Sequence, residues 1–357
     1  MKGRVTRLLN IRTGAPLILP NNNPGFLKPN DVVEIIDTVV GDTYKENNVW
    51  YKLSDGSFVW SGGVERNTTS PLRLNKDWWF DQYKIEMMWE RFATRGEGVT
   101  VAVIDSGVDL SHPNLFNQRH AQGKDYSNTS FKTDAFGHGT LVAGVLCADG
   151  DQLTGVAPDS TLYVVKVFDT GGITYQGILK ALEELPPAVD IVVLSQGLLR
   201  ATSEEALDEK IDSIASSKLI VCSAGNFGNH LDDSPTNFYP ATLPNCISVS
   251  ACDLNDNIFM RSAKSERIDI CGPGVNMRLI NPANHALAML GSGTSYAAPF
   301  IAGILCLMKS FVKKTGKAKS NGDLVKILKE SVKDNSKNPL LFGSGIINTE
   351  KIIQKLL

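Results

Sequence analysis

The chain has 357 residues, and 42% of them are hydrophobic, so it is long enough for more than one domain and can bury a large core. Its formal net charge of −2 at pH 7 excludes the strongly basic character of nucleic-acid-binding domains, and we expect no nucleic acid as a partner. The amino terminus begins with charged residues and continues without a long apolar stretch. The sequence therefore predicts no signal peptide and no membrane segment.

Residues 1–66 show short alternating β-strand patterns and no helical period. The Asp55-Gly56 pair, between two of these patterns, is typical of a hairpin turn. The sequence predicts a small all-β barrel domain here. The segments LNIRTG, DVVE and WYKLSDG follow one another in this order and resemble a bacterial Src-homology-3-type domain.

Residues 67–76 are polar and contain Pro71, so we expect a linker. The remainder, residues 77–357, begins with a predicted helix from Trp78 to Arg91. Beyond it, apolar strands are predicted at 99–104, 162–167, 190–194, 219–223 and 246–250, and helices at 174–185, 203–217 and 322–333. This alternation predicts an α/β fold of three layers around a mainly parallel sheet.

Three motifs place a carboxylate, an imidazole and a hydroxyl at element ends. Asp105 ends an apolar strand, and His138 stands between two glycines before an apolar stretch. Ser295 opens a long apolar helix that must be central. A serine hydroxyl becomes a nucleophile when an imidazole accepts its proton, and that imidazole is oriented by a carboxylate. The motifs therefore predict nucleophilic catalysis.

The motifs VAVIDSG, GHGTLVAG and GTSYAAP, in this order, resemble those of the subtilisin-like serine proteases, or subtilases. The resemblance covers roughly residues 76 to 357, so residues 77–357 are the expected peptidase domain. It implies a subtilisin-like fold and a serine endopeptidase that forms an acyl-enzyme with Asp105, His138 and Ser295. It also implies that Asn226, after another apolar strand, is the side-chain donor of the oxyanion hole.

The resemblance further implies that a protein or peptide substrate binds in extended form, as an added strand. Phe238 is expected to shorten the primary pocket and favour small residues, whereas Asp232 and Asp233 would favour basic ones; both preferences stay open. The expected substrate-binding residues are Ser195, Gln196, Gly197, Ala224, Gly225 and Phe238.

We expect no cofactor and no metal site. The connection from Ala148 to Thr154 is short, and its two aspartates fall below the six to eight oxygen ligands of calcium. The six cysteines are scattered, and several lie in apolar patterns, as buried free thiols do. A cytoplasmic location is the simplest interpretation.

Two functional hypotheses remain. The first is an active endopeptidase. The second is a pseudo-protease that binds peptides without turnover, or a protease held inactive by its amino-terminal domain. That domain would dock a partner or ligand through exposed faces of Trp50 and Trp60, regulate the peptidase domain, or act only as a spacer. Its β pattern argues against the α+β fold of subtilase pro-segments.

Overall fold

The structure is a computed structural model that describes residues 2–5, 8–18, 22–28, 31–44, 47–61, 64–66, 77–169, 172–199, 204–228, 238–333 and 338–357. The chain forms two compact units, Met1–Arg73 and Leu74–Leu357. The expected linker, residues 67–76, lies outside the described residues. The expected domain ends therefore stay predictions.

The amino-terminal unit is a small antiparallel β structure, and its five-stranded sheet has the order β6-β5-β4-β1-β7. The Asp55-Gly56 turn connects β5 and β6, and Gly56 has a φ of +82°, which glycine adopts without strain. Strands β2 and β3 form a separate pair. The strands are β1 Lys2–Val5, β2 Leu9–Ile11, β3 Gly25–Leu27, β4 Val32–Tyr44, β5 Asn47–Leu53, β6 Phe58–Trp60 and β7 Val64–Arg66.

Two tryptophans form part of the core of this unit. Trp50 is 3% exposed and Trp60 is 8% exposed. The indole N–H of Trp50 donates to the carbonyl oxygen of Asp42 at 2.8 Å. The expectation that these two side chains present exposed faces to a partner is therefore wrong. Alternation along a strand shows which residues share a face, but not which face the rest of the domain covers.

The second unit contains a parallel sheet of seven strands in the order β16-β15-β13-β11-β8-β10-β9. Its members are β8 Thr100–Asp105, β9 Gln122–Asp125, β10 Thr161–Lys166, β11 Ile191–Leu194, β13 Leu219–Ser223, β15 Ile247–Cys252 and β16 Ile270–Pro273. Two short pairs lie outside it, namely β12 Leu198–Leu199 with β14 Phe238–Tyr239 and β17 Met277–Ile280 with β18 Ala288–Gly291.

Helices cover both faces of this sheet. They are α1 Trp78–Gln82, α2 Ile85–Phe92, α3 His138–Cys147, α4 Tyr175–Glu183, α5 Glu205–Ala215, α6 Thr294–Thr315, α7 Asn321–Glu330, α8 Pro339–Phe342 and α9 Thr349–Leu356, with a 3-10 helix at Pro113–Gln118. Val101 and Val103 of β8 belong to the core that contains α3 and α6. Ala102 and Ile104 point the other way, into the core that contains α4 and α5. The expected three-layer, mainly parallel α/β fold is confirmed.

The amino-terminal helix of this unit differs from the expected single helix. Lys84 has a left-handed φ of +48°, which separates α1 from α2. The helical spacing of Ile85, Met88 and Trp89 is nevertheless found in α2, and all three side chains are buried.

Helix α6 is the central helix of the fold. Among the described residues it is the one helix long and apolar enough to cross a membrane, and 94% of its most apolar window is buried inside the protein. Its amino-terminal end lies where β11 and β13 end, because Thr294 contacts Asn226 and Ser295 contacts Ser195.

Candidate active site

Asp105 is the last residue of β8 and is only 1% exposed. The backbone N–H of Ser106 donates to its Oδ1 at 2.8 Å, and the Ser106 hydroxyl lies 3.2 Å from the same oxygen. The carboxyl ends of parallel strands meet at one edge of the sheet, where ligands of open α/β sheets bind. Asp105 is thus a buried carboxylate held at that edge.

His138 is the first residue of α3, and its side chain is 15% exposed. Its Nδ1 lies 2.9 Å from Oδ1 and 2.9 Å from Oδ2 of Asp105. Burial lowers the pKa of His138, but the charge and hydrogen bond of Asp105, with a smaller effect of Asp134, raise it further, so the net pKa is above the ordinary histidine value. The pair has the geometry of an oriented base.

Asp134 anchors the start of α3, although the motifs did not single it out. It accepts hydrogen bonds from the backbone N–H groups of Gly137 and Thr140, both at 2.8 Å, and from the Ser106 hydroxyl at 2.8 Å. Burial raises the pKa of Asp134 despite these bonds. Asp134 lies three residues before Gly137, the N-cap of α3, so it is outside the positions at which sequence patterns indicate a cap.

Gly139 lets the first turn of α3 approach the end of β8. A Cβ at this position would lie 2.1 Å from the carbonyl oxygen of Gly107 and 3.1 Å from Cβ of Asp105. Gly107 itself has a φ of +99°, a conformation that favours glycine. The two glycines therefore allow the contact between His138 and Asp105.

Ser295 is the second residue of α6 and is 7% exposed. Its hydroxyl donates to the backbone carbonyl oxygen of Ser195 at 3.1 Å. A hydroxyl has one proton, so here the proton is directed to a backbone oxygen and not to the imidazole. The next residue, Tyr296, has its ring centroid 6.5 Å from that of His138.

Asn226 follows β13, and its amide is held in one orientation. Its Oδ1 accepts the backbone N–H and the hydroxyl of Thr294, each at 2.9 Å. Because Oδ1 accepts both hydrogen bonds from Thr294, the amide orientation is fixed and Nδ2 is the atom of this amide that can donate. A Cβ at Gly293 would lie 3.2 Å from Nδ2, so glycine leaves room for this group.

The expected substrate-binding segments follow β11 and β13, and Phe238 lies between them. A Cβ on Gly225 would lie 2.6 Å from Cγ of Phe238, and a Cβ on Gly197 would lie 2.7 Å from its Cε1. Phe238 is 5% exposed, and its backbone pairs with Leu199. Its ring therefore fills the space between the two glycines. Asp232 and Asp233 lie outside the described residues.

Gln196 reaches the imidazole, which the sequence did not indicate. Its Nε2 lies 3.0 Å from Nδ1 of His138, the same atom that contacts Asp105. The long, flexible side chain places its amide there, and no local pattern specifies the direction of such a side chain.

The loop from Ala148 to Thr154 is organised around a carboxamide. Oδ1 of Asn114 accepts the backbone N–H groups of Gln152 at 3.0 Å and Leu153 at 3.1 Å. Within the described part of the chain, no group of three or more His, Cys, Asp or Glu residues has a metal-binding arrangement.

All six cysteines are free and buried, and they are Cys147, Cys222, Cys246, Cys252, Cys271 and Cys306. Burial raises the pKa of the Cys147 and Cys306 thiols well above the ordinary value. Such thiols are unreactive, so they act as apolar core residues.

The chain is similar to known serine proteases in sequence. The model of the subtilase family matches residues 96–345. Subtilisin E of Bacillus subtilis (strain 168) is 33% identical over 263 residues, which are 72% of this chain and 66% of that protein, so the chain spans about two thirds of this relative. Subtilisin of Bacillus pumilus is 34% identical over 264 residues, with 72% of this chain and 92% of that protein covered.

Two further relatives extend the comparison. The major intracellular serine protease of Bacillus subtilis (strain 168) is 33% identical over 243 residues, which cover 65% of this chain and 74% of that protein. The solved structure of the prenylagaramide maturation protease PagA has a TM-score of 0.66 and 24% identity, and covers 76% of this chain and 98% of that one. At this identity, the structural likeness concerns the fold alone.

Proposed function

The chain belongs to the subtilase family, and on that premise we propose that it is a serine endopeptidase that cleaves extended protein segments through an acyl-enzyme. The enzyme class expected from the motifs, a hydrolase of the subtilisin-like serine protease type, is confirmed at the level of the family. One observation carries the catalytic proposal: Nδ1 of His138 lies 2.9 Å from both oxygens of the buried Asp105.

In the proposed reaction, Oγ of Ser295 attacks the carbonyl carbon of the scissile peptide bond and its proton passes to Nε2 of His138. Asp105 accepts the hydrogen bond of Nδ1–H and stabilises the imidazolium. The tetrahedral intermediate collapses as the C–N bond breaks and the departing amine takes the proton from His138. Water, deprotonated by the same imidazole, then hydrolyses the ester and restores Ser295.

Asn226 is proposed to stabilise the negative oxygen of the tetrahedral intermediate. The two hydrogen bonds from Thr294 to its Oδ1 hold the amide, so that Nδ2 is preorganised as a donor. The backbone N–H of Ser295, in the first turn of α6, would be the second donor, and the positive end of the helix dipole adds to it.

The substrate is proposed to pair its backbone with Ser195, Gln196 and Gly197, opposite the wall formed by Ala224 and Gly225. Because the Phe238 ring fills the space between Gly197 and Gly225, we propose a primary pocket that accepts small side chains. The described residues add no support for the alternative basic preference, whose expected aspartates lie outside them.

Covalent labelling of Ser295 by a fluorophosphonate probe tests the catalytic proposal. Labelling of the full chain, lost in Ser295→Ala, would support the active endopeptidase. Lack of labelling in both the full chain and a chain without residues 1–70 would favour a pseudo-protease. Labelling that begins only after this removal would favour a protease held inactive by its amino-terminal domain.

The amino-terminal unit is proposed to dock a partner or to regulate the peptidase. With Trp50 and Trp60 in its core, the surface available to a partner includes Phe26, Val32 and Ile36, which are 55%, 58% and 57% exposed. Pulldown with the full chain and with Val32→Ser/Ile36→Ser would test docking through this surface, and loss of the partner in the variant is expected.

We also propose a cytoplasmic location. The six buried free cysteines fit a reducing compartment, and one relative is an intracellular serine protease. Fractionation of cells that express the native protein would test the location.

A further inference from the structure

Two consecutive residues, Ser195 and Gln196, contact the proposed nucleophile and the proposed base, respectively. The carbonyl oxygen of Ser195 accepts a hydrogen bond from the hydroxyl of Ser295 at 3.1 Å. Nε2 of Gln196 lies 3.0 Å from Nδ1 of His138. Both contacts come from the segment 195–197, which is also the segment proposed to bind the substrate backbone.

The contact of Gln196 bears on the tautomer of His138. In one tautomer of the neutral imidazole, Nδ1 carries the proton and donates it in a hydrogen bond to Asp105. In the other tautomer, Nδ1 has a lone pair and accepts a hydrogen bond from the amide of Gln196. One nitrogen cannot do both. With the lone pair on Nδ1 the proton is on Nε2, and that tautomer cannot accept the proton of Ser295.

The two hydrogen bonds differ in strength. The bond from Nδ1–H to the ionised Asp105 is charge-assisted and roughly twice as strong as a neutral one, so the productive tautomer remains the major form. A neutral hydrogen bond from Gln196 raises the ratio of the unproductive to the productive tautomer of His138 by about three- to tenfold. Because the productive tautomer stays above half of the population, Gln196 lowers the reactivity of the base by less than about twofold.

We propose that the segment Ser195–Gly197 is a resting latch, in which the Ser195 carbonyl accepts the hydrogen bond of the Ser295 hydroxyl and Gln196 stabilises the unproductive tautomer of His138 as a minor form until a peptide pairs with the segment. This inference rests on the proposed function, because the latch acts on its nucleophile and base. A peptide N–H that donates to the Ser195 carbonyl competes with Ser295, and a peptide along the segment displaces the Gln196 side chain. Gln196 is thus a positioning residue that couples substrate binding to assembly of the site.

The other groups around the imidazole belong to other elements, so replacement of Gln196 does not alter their charge. Asp105 faces it from β8, Asp134 from the turn before α3, and Tyr296 from α6. A difference between Gln196 variants therefore reports the amide contact and not a new charge.

The test compares the full-length protein with Gln196→Met, which keeps the side-chain length and removes the donor. Nitrogen-15 NMR of His138 reports the tautomer, and the rate of fluorophosphonate labelling reports Ser295. We expect the ratio of the Nε2–H to the Nδ1–H form to fall about three- to tenfold in the variant. Labelling should become faster by less than about twofold, because the productive tautomer is already the major form. Gln196→Leu should act in the same direction. Gln152→Met, in which the lost amide contacts the His285 carbonyl instead, is the matched control and should leave both readouts unchanged.

The outcomes separate the latch from the proposed function. Equal tautomer populations in wild type and Gln196→Met, with equal labelling rates, would overturn the latch while the endopeptidase stands. A shift of tautomer without labelling of Ser295 in any form would support the contact of Gln196 and overturn the proposed function. A slower reaction of Gln196→Met would also overturn the latch, because it would make Gln196 a supporting residue of the active form.

Discussion

Thr294 donates both its backbone N–H and its hydroxyl to the same oxygen of Asn226, at 2.9 Å in each case. The residue just before the proposed nucleophile therefore fixes the orientation of the proposed oxyanion donor. Both partners occupy element ends: Asn226 follows β13, and Thr294 begins α6. Nucleophile and donor are thus held by one short network.

Replacing Asn226 by Ala should lower kcat by about 10²- to 10³-fold with little change in KM, because the donor acts on charge that develops only in the transition state. Thr294→Val, which keeps the donor but removes one of its two anchors, should lower kcat by about tenfold. Steady-state kinetics with a peptide substrate measures both effects. A rise in KM at constant kcat in Asn226→Ala would instead mean that Asn226 binds the ground state.

The raised pKa of His138 predicts the pH dependence. The neutral imidazole is the base, so kcat/KM should rise with pH and have its midpoint above 6.5, the ordinary histidine value. In Asp105→Asn the favourable charge is lost, and the midpoint of Ser295 labelling should move to lower pH. The same shift stabilises the fold at pH values below about 6.5, and this stabilisation is lost as pH rises through the folded-state pKa.

Phe238→Ala should enlarge the primary pocket. Because the ring fills the space between Gly197 and Gly225, its removal should shift cleavage from small residues to large apolar ones before the scissile bond. A peptide-library cleavage profile measures this preference. Phe227→Ala is the matched control, since Phe227 contacts Phe238 but is 58% exposed, and it should leave the profile nearly unchanged.

Asp134→Ala should affect both stability and catalysis. Loss of a capping carboxylate costs about 1 to 2 kcal/mol of unfolding free energy, and it should also lower kcat because α3 carries His138. Denaturant unfolding and steady-state kinetics check the two effects. Asp323→Ala removes the exposed capping box of α7 and should cost about 1 kcal/mol or less while kcat stays constant.

The sequence predicted the inner strands well, since fully buried parallel strands appear as continuous apolar runs. The strands at 99–104, 162–167, 190–194, 219–223 and 246–250 are each found within two residues of their expected ends. Strand β9, with the sequence QGKD, has no apolar run. It pairs with β10 at the sheet edge, a hydrogen-bonding relation that its own residues do not encode.

Side-chain directions were harder to predict than element positions. The motifs located Asp105, His138 and Ser295 by type and order, and the first two meet in the structure. The Gln196 contact depends on how a flexible chain crosses between elements distant in sequence. The buried Trp50 shows the same limit, because alternation alone does not decide which face of a sheet is covered.

The two backbone N–H groups that converge on Asn114 have a consequence for handling the protein. Their hydrogen bonds close the loop after α3 with atoms of the chain itself. The ordering of this segment should therefore be indifferent to chelators such as EDTA.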